Sequence, residues 1–194
     1  MSKIYLYKDG KEYNTDISGG LFNNNYSCNY ADGTMTLNDN YITFNCIRNG
    51  GFLIQSTNLI DFSKYKYLRV KCDAYITNDV SNSQVNISLL SRHYTSWYDT
   101  SNWATVLIIQ DGLFGQLGEY GEYKNHILTI NLENTQNAYM CFYVAGNPKP
   151  VNVYEIYLET EDTLSETIKK ATKEIILNNK LFQEHVTICQ GEES

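Results

Sequence analysis

The sequence predicts a mainly β protein: an antiparallel β-sandwich of jelly-roll connectivity over residues 1–160, with a C-terminal α-helix in 161–194. Three observations predict it. Apolar and polar residues alternate with period two in run after run up to about Glu159. Glycine-bearing turn pairs such as Asp9-Gly10, Asp32-Gly33 and Asp111-Gly112 separate those runs. Beyond Glu159 the apolar spacing changes to steps of three and four.

Strands are expected at 4–7, 34–37, 41–46, 52–55, 68–76, 85–89, 126–132, 138–144 and 153–158. The clearest is 68–76, where Leu68, Val70, Cys72, Ala74 and Ile76 share one face and Arg69, Lys71, Asp73 and Tyr75 the other. The run Val106-Leu107-Ile108-Ile109 is apolar throughout, as in a strand covered on both faces. Many short strands with one apolar face and no intervening helices imply two sheets packed face to face. The helix is signalled by the capping-box spacing Thr163-x-x-Glu166, then by Leu164, Ile168, Ala171, Ile175 and Phe182 on one face. Acids at its start and lysines later suit its dipole. It has two readings: packing on its own sandwich, or a short homo-oligomer seam with Asn178 at a core position. Residues 186–188 could add a final strand.

A chain of 194 residues has room for one good core. Net charge −7 and no basic run argue against a nucleic-acid binder. The N-terminus lacks the apolar stretch of a signal peptide, and no segment is apolar enough to insert in a membrane, so synthesis in the cytoplasm is expected. Abundant Asn, Tyr, Ile and Lys with few Pro, Arg and Ala suit a low-GC bacterial or phage genome. Codon bias therefore discounts the 17 tyrosines, whereas the two tryptophans, six residues apart, escape it. Five scattered cysteines with no C-x-x-C pair offer neither zinc spacing nor a disulfide framework, and Cys46 and Cys72 read as buried thiols.

Catalytic motifs are absent from the sequence, and His93, His126 and His185 stand alone, His126 at the start of a strand where an ordinary hydrogen-bonded role is expected. Glu119 and Glu122, in a glycine-rich stretch read as a solvated loop, are the one carboxylate pair a small glycoside hydrolase could use. No cofactor is expected; Asp32, Asp39 and Asp61 are candidates for a structural calcium site, without EF-hand spacing. The candidate binding residues are Tyr94, Trp97, Tyr98, Asn102 and Trp103, on a long loop with Arg92, His93 and Asp99 interleaved. Flat aromatic faces suit the C–H face of a sugar, and the polar neighbours suit its hydroxyl rim. The alternative is that Trp97 and Trp103 fold back to close one end of the sandwich.

Two segments carry a family resemblance. Residues 60–70, Ile60-Asp61-Phe62 through Leu68-Arg69-Val70, resemble a strand lead-in of galactose-binding-like carbohydrate-binding modules. Met140 to Tyr143, followed by Val153 to Leu158, resemble the paired closing strands of the same jelly rolls. The opening from Ile4 to Gly20 is similar to leader segments of sandwich modules on tail and baseplate proteins of Firmicute phages. The resemblance implies a non-enzymatic virion component whose partners are cell-surface polysaccharide and other virion proteins, released by lysis. A purely structural decoration or adaptor subunit is the alternative it leaves open.

Overall fold

The computed structural model describes residues 2–23, 25–27, 33–46, 51–77, 83–93, 114–116, 120–146 and 149–160. Lys3–Thr160 form one compact unit. In chain order its strands are β1 (Lys3–Lys8), β2 (Lys11–Glu12), β3 (Asn25–Ser27), β4 (Thr34–Leu37), β5 (Ile42–Asn45), β6 (Gly51–Gln55), β7 (Ile60–Asp61), β8 (Tyr67–Ile76), β9 (Gln84–Leu90), β10 (Phe114–Gln116), β11 (Gly121–Asn131), β12 (Asn137–Ala145) and β13 (Val151–Glu159). A one-turn helix, α1 (Thr15–Ser18), and a 3-10 turn, Phe62–Lys64, interrupt them.

The strands form two antiparallel sheets. The first runs β11-β8-β13-β1-β2, with β5 and β4 continuing it from the other half of β13; the second runs β10-β9-β12-β6-β3, with β7 beside the start of β12. From β8 onward the chain crosses repeatedly between the sheets, the jelly-roll habit of an antiparallel sandwich. The predicted alternation of β8 is borne out, with Leu68, Val70, Cys72, Ala74 and Ile76 all buried. They face Phe142, Ile54, Ile87 and their neighbours in one continuous core, where Phe44 lies 5.4 Å from Phe142 and 5.8 Å from Phe52 between ring centroids. Asp9 and Gly10 both have positive φ, as a two-residue hairpin of type I′ requires, and Lys8 pairs with Lys11 across it. A Cβ on Gly10 would also strike the carbonyl of Asp39, so that glycine is required twice over.

Several expectations are corrected. The strands resembling a closing pair, β12 and β13, lie in different sheets. The stretch read as a solvated loop around Glu122 is instead the first half of β11, an edge strand with a bulge between Tyr123 and His126. That bulge adds a residue and breaks period two, so only the half beyond it reads as a strand. His126 therefore sits mid-strand, its ring edge-on to Tyr123 at 5.2 Å. The short strands β2, β3, β7 and β10 were too brief to show a period. The run 106–109 and the helix, seam and final strand expected over 161–194 lie outside the described residues.

A second bulge, in β13 between Val153 and Glu155, sits at the level of the first, with β8 between them. Asp73 of β8 serves both. Its carboxylate accepts the backbone N–H that the β11 bulge frees at Asn125 (2.6 Å) and the hydroxyl of Tyr154 from the β13 bulge (3.0 Å). Asn125 has positive φ, a conformation that asparagine tolerates better than most. Removing the acceptor leaves two donors short, so Asp73→Ala is expected to destabilise the fold by about 1–3 kcal/mol, read as a shift in the urea midpoint. An unchanged midpoint would mean that water replaces the carboxylate at no cost.

Candidate functional site

The second sheet has an outer face unlike that of an ordinary sandwich. Alternation along β12 sends Met140, Phe142 and Val144 into the core, leaving Tyr139, Cys141 and Tyr143 on the opposite face. Register aligns their neighbours into rows. Gln55, Cys141 and Ser88 stand side by side across β6, β12 and β9; Leu53, Tyr143 and Asn86 form the next row, and Tyr139 faces Leu90. Ser88 donates its hydroxyl to Asn86 at 3.4 Å along the same face of β9. Behind Tyr143 stands Gly51, where a Cβ would come within 3.2 Å of the tyrosine ring. The glycine is what lets that ring lie across β6.

None of these side chains carries a charge, and the face offers amides, hydroxyls and tyrosine rings together. Tyr139 is half-buried, whereas Gln55, Asn86, Ser88, Cys141, Tyr143, Leu53 and Leu90 are buried although they point away from the sandwich core. That double burial explains why β6 and the second half of β12 read as continuous rather than alternating burial. Cys141 shares it, and burial pushes its thiol pKa up, as burial pushes Cys72 up to about 12. The expected buried state of Cys46 and Cys72 is borne out.

The long predicted loop starts from this sheet, because it connects β9 to β10. Its last described residue, His93, has already crossed β12. Its Nε2 lies 2.8 Å from the Ser56 carbonyl at the end of β6, and its ring packs 3.9 Å from that of Tyr139. Ser56 is locked in turn by its own backbone pairing with Met140 and by a hydroxyl that accepts the Met140 N–H. Of the loop's candidate residues, Tyr94, Trp97, Tyr98, Asn102 and Trp103 lie outside the described residues; of their interleaved polar neighbours, Arg92 (exposed) and His93 are placed. Sequence reasoning missed Gln55, Asn86, Ser88, Tyr139 and Tyr143. Their signal was present in the alternation of Val85-Asn86-Ile87-Ser88-Leu89, but period two does not tell a solvent face from a covered polar one.

The outer face of the first sheet is built differently. Four of its tyrosines carry cations: Lys3 Nζ lies 4.2 Å from the Tyr157 ring centroid, Lys8 Nζ 4.7 Å from Tyr5, Arg69 Cζ 4.7 Å from Tyr67 and Lys149 Nζ 4.1 Å from Tyr75. A ring so covered has no free face on which to stack a sugar.

The remaining candidates are placed only in part. Glu122 is exposed and 3.3 Å from Lys124, with Glu119 outside the described residues. The Asp61 carboxylate caps the 3-10 turn, and hydrogen bonds from the Ser63 hydroxyl and N–H hold its pKa down. Asp39 lies in the turn that packs on Gly10, and Asp32 lies outside the described residues. Among the described residues no three His, Cys, Asp or Glu side chains converge as a metal site would need.

No protein-family model and no curated protein matches the sequence. Among solved structures the chain is similar to a family 29 carbohydrate-binding module of Piromyces equi (12% identity, 86% of this chain and 97% of that one, TM-score 0.45). It is also similar to a low-affinity xylan-binding module, CBM86, of Roseburia intestinalis (9%, 71% and 94%, TM-score 0.40) and to the mannan-recognising module TmCBM27 (12%, 84% and 97%, TM-score 0.39). At these identities and TM-scores the likeness assigns no ligand, and the antiparallel sandwich stands on its own strand pairing.

Proposed function

We propose that this chain is a non-enzymatic glycan-binding sandwich that engages neutral cell-surface polysaccharide at the outer face of its second sheet, as a component of a phage or phage-like particle. The observation that carries the reading is the uncharged outer face whose half-buried member, Tyr139, packs on His93, the residue that leads into the sequence segment bearing Trp97 and Trp103. In this reading the tryptophans supply the apolar platform, and the polar residues interleaved with them in the sequence, Arg92, His93, Asp99 and Asn102, meet the sugar hydroxyls. The particle role rests on the low-GC composition and on the helix expected in 161–194, which would join copies to one another or to a neighbouring virion protein. Many weak sites on one particle would then act by avidity.

One observation favours a second reading, a structural virion subunit. The outer face is buried, and Leu53 and Leu90 sit in it beside the polar row, as they would beneath a permanent cover.

Retardation of the protein in gels containing single neutral polysaccharides separates the two. The glycan reading expects at least one polysaccharide to retard it, and Tyr139→Ala, at the half-buried member of this face, to lose about tenfold or more of that affinity while still melting cooperatively. Retardation by none of a broad panel, or binding indifferent to that substitution, would leave the structural reading standing.

A further inference from the structure

The outer face of the first sheet is electropositive on a chain whose net charge is −7. Register places Lys71 of β8 and Lys8 of β1 on either side of Glu155, and Lys11 opposite Lys8. Lys3 stands at one end of the face and Lys149, just before β13, at the other, above Tyr75. Two of its carboxylates are engaged elsewhere, while Glu155 stands among the lysines with its charge acting on Lys3, and Asp9 lies 3.9 Å from Lys8. Glu159 is buried in a 2.7 Å ion pair with Arg69, and Asp73 accepts from Asn125 and Tyr154. By contrast, among the described residues no carboxylate lies within ion-pair distance of Lys3, Lys11, Lys71 or Lys149, and all but Lys71 are exposed.

The cation–π seats make this charge available rather than cancelling it. A tyrosine ring attracts an ammonium through its quadrupole but carries no net charge. Lys3 and Lys149 are therefore held in position, with side-chain entropy already lost, while their full charge still faces solvent. Cations positioned in this way draw an anion more strongly than the same lysines swinging free.

The geometry points to a second binding surface here, on the opposite side of the sandwich from the glycan face, for an extended polysaccharide that carries carboxylate or phosphate groups. The spacing of the cations selects that polymer over nucleic acid. Strand spacing puts Lys71 about 10 Å from Lys8, and strand rise puts it roughly 13 Å from Tyr75 under Lys149. Duplex DNA presents a charge every ~1.7 Å, far denser than this array can neutralise, and the acidic remainder of the chain repels it. A glycan with one anionic group on each or every other sugar spaces its charges as sparsely as the lysines do. The attraction acts over a Debye length and fades with salt.

Polygalacturonate in native gels and by titration calorimetry is the probe, at about 50 mM and about 300 mM sodium chloride. Wild type is expected to bind at low salt and to weaken about tenfold or more at high salt. Lys3→Gln/Lys71→Gln/Lys149→Gln should lose about tenfold or more at low salt, and the single reversal Lys149→Glu part of that, while Lys64→Gln, off this face, binds as wild type. Neutral-polysaccharide binding should be unchanged in the triple variant, and polygalacturonate binding unchanged in Trp97→Ala/Trp103→Ala, so either surface can fail alone. No polygalacturonate binding by wild type, or affinity unaltered in both the triple and the Lys149→Glu variants, would overturn the proposal. Equal or tighter binding of a DNA duplex would overturn its assignment to a glycan.

Discussion

Alanine at both Trp97 and Trp103 is expected to lower affinity for neutral cell-surface polysaccharide by roughly a hundredfold or more, with little change in thermal midpoint. Large aromatics that meet a ligand are the side chains whose truncation costs most, of order 2 kcal/mol or more each. They lose both their apolar area and the flat face a sugar ring stacks on. The residue before the segment, His93, is held by the Ser56 carbonyl and the Tyr139 ring. Titration against whichever polysaccharide retards wild type, alongside a thermal melt, gives both readouts. A variant that melts much earlier would make the tryptophans structural, and the covered polar face would then belong to the architecture of a virion subunit.

Phe142→Ala is expected to destabilise the sandwich by about 3–5 kcal/mol, the range for emptying a buried phenylalanine site. Phe142 is fully buried in the middle strand of the second sheet, paired with Ile54 on one side and Ile87 on the other. Its ring packs on Phe44 from the opposite sheet at 5.4 Å, so truncation removes a contact that joins the two layers. In a domain of this size the thermal midpoint should fall by roughly 10 °C. Phe142→Leu, which keeps most of the volume, should cost about 1–2 kcal/mol. Equal losses for the two variants would mean that the cavity collapses and that the ring itself contributes little.

The long strands were legible because one solvent face and one core face impose period two, and β8 shows it without a break. Legibility failed where that condition failed. The first half of β11 was lost to a bulge, and its glycines read as a loop. The second half of β12, covered on both faces, announced burial but not direction. Its pairing partners followed from neither, since β12 and β13 look like a closing pair and lie in opposite sheets. The candidate site divides in the same way. Trp97 and Trp103 stand out in one dimension because tryptophan is rare and two occur together. Asn86 and Ser88 do not, because a polar residue at every second position is what any strand facing water displays.

By itself the sequence determined the class of the fold, the approximate strands, the buried thiols and the turn at Asp9-Gly10, all consequences of local period or of a backbone requirement at one or two residues. Only the tertiary structure decided which sheet each strand joins, that Asp73 holds two bulges at once, that one outer face gathers an uncharged polar row and that the other seats lysines on tyrosines. Those are properties of residues from separate strands brought opposite one another by register. Period along a single strand carries no information about its neighbour.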